Sequence, residues 1–449
     1  TKKYKIERLA ELNFDSTSFS LGGDILNEEV EKGYWAVATQ KHLNKFQIST
    51  PNFEEFDALN NAGKAGRLLG LIRGNTKIEN MKKLEKLAGT MGIGKRELKN
   101  TILPELEIVT EKRLELRRNS LNEIIGIEEY FLKNEDVLSA AGDYFEYMNP
   151  EETERITIQT LSSTKRLPTS RLELHSELGK KYDEEKIEKS LAYQEQFKLV
   201  KKNVIKNDTI YSNEYIWAGK QDKIIHSLKQ IDIASKEDLE EFIDMLQKTQ
   251  GISEKQINLN EKLIDLAKRT GIIDPITIRT KRNFQQDFLF TSNFLGGDGL
   301  IIDIMDDLKL LISAIRFGTK FTPYSRLSNP IVFLEKLING GKVGPHSANG
   351  TDYVLLESRG IVKITPSDIP GRYFMELIKK DIGELALNIL KTSDFEIENS
   401  VIRYDFSTDE ESSVHFESPE SVRMNMSLSP APISEAENYF LEVLRNERL

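Results

Sequence analysis

The 449-residue chain contains no cysteine, which excludes disulfides, thiolate metal sites and cysteine nucleophiles. It has no apolar run approaching the roughly 18 residues that a membrane-spanning helix requires. The first residues, TKKYKIERLAELNF, contain no apolar segment long enough for a signal peptide. These absences favour a cytoplasmic globular protein with room for roughly two to four domains.

Recognisable catalytic motifs are also missing. The chain has no His-Glu-x-x-His pair and no Gly-x-Ser-x-Gly elbow. Its five histidines are dispersed, and each is expected to be a surface or capping residue: His42, His175, His226, His346 and His415. The sequence therefore predicts no catalytic residue, no metal site and no cofactor.

Two enzymatic alternatives stay open but are less favoured. Gly89 to Lys95 fits the phosphate-binding pattern G-x-x-x-x-G-K, but Arg96 stands where a magnesium-binding Ser or Thr is needed. The residues before it have a helical period instead of the apolar strand that precedes such a loop. Asp352 and Glu357 resemble the carboxylates of restriction-type nucleases, although the Glu-x-Lys motif reads Glu-Ser-Arg here.

Charge is segregated along the chain. The net charge is -10, and residues 393–449 alone hold 13 Asp/Glu against 4 Lys/Arg. Residues 61–119 show the opposite balance, with 14 Lys/Arg against 7 Asp/Glu. A local basic surface is sufficient for binding phosphates, so the acidic total does not exclude a nucleic-acid partner.

The basic segment has the pattern of two helices around a glycine turn. Apolar residues recur at helical spacing from Ile78 to Ala88, and glycines at 89, 92 and 94 interrupt the pattern. A second helix is predicted from Lys95, with Pro104 ending or kinking it. Alternating Leu106 and Ile108, then Leu114 and Leu116, predict a β-hairpin after it.

This layout of about forty residues resembles the winged-helix superfamily, without any family-specific motif. The resemblance implies that the second helix enters the major groove of duplex DNA and that the hairpin contacts the backbone. The expected groove residues are Lys95, Arg96, Lys99 and Asn100. The expected phosphate contacts on the hairpin are Lys112, Arg113, Arg117 and Arg118.

The remainder of the chain predicts further units of similar shape. A capping box at Ser170 to Glu173 opens a helix in the second unit, and its hairpin is expected over 197–217. In the third unit the hairpin is expected over TDYVLLESRGIVKI, followed by a helix from Arg372 to Leu390. The predicted organisation is a mixed leader (1–60), a basic winged-helix-like domain (61–148), a second such domain (150–218), a helical segment with a β pair (219–320), a third such domain (325–392) and an acidic flexible tail with a terminal helix (393–449).

The predicted fold class is therefore mainly α with small β-hairpins (α+β), in tandem winged-helix-like units joined by helical segments. The leading functional hypothesis is non-enzymatic binding of double-stranded DNA, as an accessory subunit of a bacterial complex. The alternative is a protein–protein scaffold of a genome-maintenance or anti-phage defence assembly. In either case the acidic tail and terminal helix are expected to bind a protein partner, and no membrane is expected as a partner.

Overall fold

A computed structural model describes residues 28–89, 91–131, 133–166, 168–205, 208–217, 233–280, 285–292, 302–320, 327, 329–350, 353–393 and 413–427. Over these ranges the protein is mainly helical with small antiparallel sheets, which confirms the predicted class at this level. No helix in this part of the chain is long and apolar enough to cross a membrane.

The first unit surrounds two closely packed helices. Its elements are α1 (Glu28–Leu43), α2 (Asp57–Ile72), β1 (Lys77–Ile78), α3 (Met81–Gly89), α4, β2 (Leu114–Arg118), β3 (Ile124–Glu129) and α5 (Asn134–Tyr147). Helix α4 consists of Lys95–Glu97, a π-helical turn Leu98–Ile102 and Leu103–Val109. Trp35 and Tyr34 of α1 are buried core residues. Residues 28–60, assigned to a leader from the sequence, thus belong to the core of this unit.

The second unit shares that core. It comprises α6 (Glu152–Arg166), β4 (Thr169–Ser170), α7 (Arg171–Leu178), α8 (Glu184–Gln196), β5 (Lys201–Ile205) and β6 (Asp208–Ser212). The capping box is present, because the Ser170 backbone N–H donates to Glu173 while the Glu173 N–H donates to Ser170 Oγ. The predicted hairpin is also confirmed, with β5 paired to β6. One continuous hydrophobic cluster therefore joins the first two units.

The third and fourth units lie on either side of a long helix. The third comprises α9 (Ile233–Lys248), β7 (Ile252–Ser253), α10 (Glu261–Thr270), β8 (Ile273–Thr280) and β9 (Gln285–Thr291). The long helix is α11 (Ile302–Lys320). The fourth comprises α12 (Pro330–Ile338), β10 (Val343–His346), α13 (Val354–Ser358), β11 (Val362–Pro366), β12 (Tyr373–Leu377) and α14 (Lys380–Thr392). Apolar residues of α11 pack with the third unit's sheet and with the fourth unit.

All four units use the same strand order. In each, the first strand pairs with the third and the third with the second, which gives β1-β3-β2, β4-β6-β5, β7-β9-β8 and β10-β12-β11. All of these pairs are antiparallel. The sequence pattern predicts three units of this shape. The unit within 219–320, assigned there to a helical segment with a β pair, follows the same topology.

Part of the predicted acidic tail is folded onto the third unit. Strand β13 (Ser413–Glu417) pairs with β8, and α15 (Pro419–Ser427) follows it. The Arg423 side chain of α15 is buried and contacts Glu214 and Asp274. Residues 413–427 thus form a docked strand and helix, where a flexible linker was expected. The predicted terminal helix, from residue 435 onward, lies outside the described residues.

Three predicted elements were wrong in detail. Leu106 and Ile108 lie on helix α4, not on a strand, so the hairpin begins only at Leu114. The expected hairpin after residue 353 is helix α13, and the actual hairpin joins β11 to β12. The expected helix from Arg372 begins as strand β12 and becomes helical at Lys380. Short apolar runs fit a helix or a strand equally well by periodicity, and tertiary packing selected between them.

Candidate nucleic-acid interface

Helices α3 and α4 form two packed helices around a tight turn. Met81, Leu84 and Ala88 are buried on α3, and Leu98 and Ile102 are buried on α4. Gly92 has φ +79°, a left-handed conformation that glycine adopts without strain. The turn is closed by a hydrogen bond from the Ile93 N–H to the Ala88 carbonyl, and the Gly94 N–H donates to the Glu97 side chain. The predicted helix–glycine turn–helix is therefore present.

The outer face of α4 carries the four predicted groove residues. The Lys95 side chain is 68% exposed and the Lys99 side chain 31% exposed. Both ammonium groups contact the same carboxylate, Glu85 of α3, at 3.2 and 2.6 Å. Hydrogen bonding to Lys99 holds the pKa of Glu85 below its usual value. Arg96 and Asn100 are exposed, and among the described residues no hydrogen bond or ion pair engages their side chains.

The predicted hairpin residues divide into two groups. Lys112 and Arg113 lie in the turn between α4 and β2, and not on the hairpin, because α4 extends to Val109. Lys112 is exposed with φ +74°. The Arg113 guanidinium lies 5.6 Å from the centre of the buried Phe131 ring, so it covers part of the core.

Arg117 and Arg118 lie on β2, and each forms an ion pair with a carboxylate. Arg117 contacts Glu79 at 3.1 Å. Arg118 donates through both terminal nitrogens to Glu107 of α4, at 3.3 and 2.7 Å. That pairing, together with a hydrogen bond from the Leu116 N–H, lowers the pKa of Glu107 despite its partial burial. The positive charge of β2 is thus neutralised locally. On the outer face of α4, by contrast, the cations Lys95, Arg96 and Lys99 outnumber Glu85, the carboxylate that the two lysines contact.

In the other three units, the helix that precedes the second strand, as α4 precedes β2, lacks this excess of positive charge. On α8 of the second unit, Lys186 and Lys189 pair one-to-one with Glu152 and Glu55. Also on α8, Glu188 engages Arg171 and His175. On α10 of the third unit, Lys268 is buried between Glu254 and Asp287. Helix α13 of the fourth unit, VLLES, has no basic residue. Over the described ranges, a cationic outer face on this helix occurs in the first unit alone.

The two enzymatic alternatives lack the required local structure. The Gly89–Lys95 segment joins two helices, whereas a nucleotide-binding loop follows a strand. Glu357 lies on a helix, pairs with Lys83 at 2.6 Å and accepts a hydrogen bond from the Ile364 N–H. Asp352 lies outside the described residues. No group of three His, Asp or Glu within the described ranges is placed to hold a metal ion.

One of the histidines contradicts the sequence prediction. His42 is buried, and its Nε2 lies 2.6 Å from Glu214. Glu214 also accepts a hydrogen bond from Arg423 Nε. Arg423 in turn donates to Asp274, and Asp274 also accepts from Lys309. This chain of buried charges has no signature in the sequence, because its members come from five separate elements. His175 pairs with Glu188 on the surface, and His346 accepts the Ala348 N–H, in the way of a capping residue.

Comparison with known proteins adds no assignment: no protein-family model, no curated protein and no solved structure matches this chain.

Proposed function

We propose that this chain binds double-stranded DNA without catalysis, and that its first unit is a winged helix. The order of elements supports this class: a helix, a short strand, two helices around a turn, and a hairpin whose last strand pairs with the first. In such a unit the second helix of the pair, here α4, enters the major groove. The hairpin β2–β3 then lies beside it, over the sugar-phosphate backbone.

The observation that carries the proposal is the charge on the outer face of α4. Lys95 and Lys99 share a single carboxylate, Glu85, and Arg96 is exposed beside them on the same helix. Exposed ion pairs of this kind contribute little to stability, so DNA phosphates can replace Glu85 as the partner of the lysines. Asn100 follows on the same exposed face, and its amide can pair with an adenine edge. Arg117 and Arg118 have a lesser role in this proposal, since Glu79 and Glu107 already neutralise them.

The test measures the salt dependence of binding to a random-sequence duplex by fluorescence anisotropy. The triple variant Lys95→Ala/Arg96→Ala/Lys99→Ala removes the cations of α4. If each contacts one phosphate, the slope of log affinity against log salt falls by about 2.7. The matched control is Lys186→Ala/Lys189→Ala/Lys202→Ala, which removes three lysines from α8 and β5 of the second unit.

The control is expected to bind like the wild-type chain. Equal slopes for the α4 variant and the wild type would contradict the proposal. An equal loss in both triple variants would also contradict it, because binding would then follow total charge and not the face of α4.

A second candidate function, a scaffold subunit of a bacterial genome-maintenance or defence complex, is favoured by a different observation. Apolar side chains are exposed at or beside the hairpin turns of three units: Leu121 (77%), Val204 (64%) and Ile369 (49%). Such positions fit contacts with another protein. Size-exclusion chromatography with the products of neighbouring genes tests this function. Leu121→Asp should release a partner that Leu172→Asp, an equally exposed leucine on α7, retains.

A further inference from the structure

The carboxyl-terminal strap, residues 413–427, contacts elements of all four units. Strand β13 pairs with β8 of the third unit and also lies against α13 of the fourth. Helix α15 lies against α10 of the third unit and against α1 of the first. Its Arg423 reaches Glu214, which follows the hairpin of the second unit. We propose that this strap is a releasable clasp, which holds the first half of the chain (the first and second units) against the second half (α11 and the third and fourth units).

The two halves have separate hydrophobic cores. The largest cluster of buried apolar residues lies within residues 30–211, in the first half. Two other clusters lie within residues 239–390, in the second half. Among the described residues, none of these three clusters has buried members from both halves. Each half can therefore keep its own core when the junction between the halves opens.

Ion pairs cross the junction between the halves. Cations of the first half contact carboxylates of the second: Lys41 to Asp306 at 2.5 Å, Arg73 to Asp381 at 3.0 Å and Lys83 to Glu357 at 2.6 Å. The first of these pairs is buried, and the other two are partly exposed, so that solvent weakens them. Polar junctions between domains permit relative motion more readily than a shared apolar core does.

Arg423 connects the strap to both halves at once. Its Nε donates to Glu214 of the first half, and its Nη1 donates to Asp274 of the second half, each at 2.6 Å. Burial alone would raise the pKa of Glu214, but Arg423 and His42 hold it below its usual value. The contact across the junction is therefore between two charged groups. Loss of such a contact costs more than loss of a hydrogen bond between neutral groups.

Two further contacts of the strap are polar and lie within the second half. Glu417 pairs with Arg279 of β8 at 3.2 Å, and the Met426 carbonyl accepts from Arg269 of α10 at 2.9 Å. Among the α15 residues whose burial is described, the buried ones are Pro419, Ser421 and Arg423. A segment with few buried apolar contacts opens at a lower free energy than the cores do. The strap can therefore leave its position while both halves remain folded.

The test measures the distance between two spin labels in the full chain, one label on each half. The chain contains no cysteine, so Glu185→Cys on α8 and Glu384→Cys on α14 provide two specific, exposed attachment sites. Arg423→Glu then places a third carboxylate beside Glu214 and Asp274 and should release the strap. Amide exchange in α15 should become at least about a hundredfold faster, because two charge-assisted hydrogen bonds are lost. The distance between the labels should shift to larger values.

The matched control is Arg279→Glu, which reverses the charge at a strap contact that lies within the second half. Its label distance should equal that of the labelled chain with Arg279 and Arg423 intact. Faster exchange in α15 without a longer label distance would overturn the proposal, because the strap would then not hold the halves together. Unchanged exchange in α15 would overturn it too, because Arg423 would then not anchor the strap.

A second measurement uses the wild-type chain alone, so that it does not depend on the folding of any variant. Hydrogen exchange at low urea concentrations should show α15 opening at a lower free energy than α5 and α11, which pack in the cores of the two halves. Exchange of α15 only together with those two helices would contradict the proposal. The Lys95→Ala/Arg96→Ala/Lys99→Ala chain should show the same opening of α15, which separates this proposal from the DNA proposal.

Discussion

Replacement of Arg423 by Met is expected to destabilise the junction between the carboxyl-terminal segment and the rest of the chain. The guanidinium donates to Glu214 Oε2 and to Asp274 Oδ1, each at 2.6 Å. All three side chains are at least nine-tenths buried. Met preserves most of the length and volume of the arginine stem and removes the charge. The variant therefore tests the two buried ionic contacts with little change in packing.

The expected loss of stability depends on the partners that Glu214 and Asp274 retain after the substitution. Removal of one partner of a buried ion pair costs about 3–5 kcal/mol, because a carboxylate is left uncompensated. In the variant, Glu214 still has its contact with His42 at 2.6 Å, and Asp274 still has its ion pair with Lys309. The cost should therefore lie near the lower limit, at about 3 kcal/mol. Adding Glu214→Gln to the variant removes one uncompensated charge and should recover about 1–2 kcal/mol.

Tryptophan fluorescence during urea unfolding reports on this junction. The chain has two tryptophans, Trp35 and Trp217, and Trp217 ends the helical turn that contains Glu214. The ring of Trp35 lies 5.7 Å from that of Tyr215, in the same turn. With a denaturant slope near 3 kcal/mol/M, a loss of about 3 kcal/mol lowers the urea midpoint by about 1 M.

The matched control is Arg279→Met, which removes a partly exposed arginine from its pair with Glu417. A pair of this exposure contributes less than about 1 kcal/mol, so its midpoint should change little. If Arg423→Met and Arg279→Met had the same midpoint, the buried contacts would not stabilise the junction. The same conclusion would follow if Glu214→Gln further destabilised the Arg423→Met chain.

Two other predictions follow from the core. Where α5 crosses α1, a Cβ at Gly142 would lie 1.9 Å from the Glu29 carbonyl oxygen. Gly142→Ala should therefore lower the free energy of unfolding by about 3 kcal/mol or more, measured by thermal unfolding. Gly89→Ala is the control and should not lower it, because a Cβ at Gly89 would meet open space. Burial raises the pKa of Glu154 to about 7, although it accepts the Leu59 and Glu151 N–H groups. The protonated form of Glu154 therefore contributes its full stabilisation below pH 4.5. Up to about 3 kcal/mol of folding stability is lost as the pH rises from there through 7. Urea midpoints measured from pH 5 to 8 should show this decline in the wild type and lose it in Glu154→Gln; parallel curves would refute the assignment.

The locally encoded elements were predictable from the sequence. The capping box at Ser170, the β5–β6 hairpin and the glycine turn before α4 each depend on residues within a few positions of one another. The buried face of α3, with Met81, Leu84 and Ala88, likewise follows from the helical recurrence of apolar residues between Ile78 and Ala88. In all of these cases the physical cause is local: a hydrogen bond to a nearby backbone group, or one apolar face on one helix.

The course of α4 past Pro104 was not predictable in this way. Proline lacks the N–H that an α-helix needs, so the sequence predicted that the helix ends or kinks there. The structure instead places a π-helical turn, Leu98–Ile102, directly before it and begins the last helical segment at Leu103, with Pro104 in its first turn. A proline is tolerated in the first turn of a helix, because that N–H has no partner within the helix. Burial of Leu103 and Leu106 favours the continued helix.

The sequence by itself determined the mainly helical class, the β5–β6 hairpin and the basic character of residues 61–119. Only the tertiary structure decided which of those charges stay in excess, because Glu79, Glu85 and Glu107 meet their cations through packing. It also decided the buried contacts of Arg423 with Glu214 and Asp274, which lie 209 and 149 positions away in the sequence. Helix periodicity is a property of neighbouring residues, whereas the balance of charge at a point in space depends on which elements dock there.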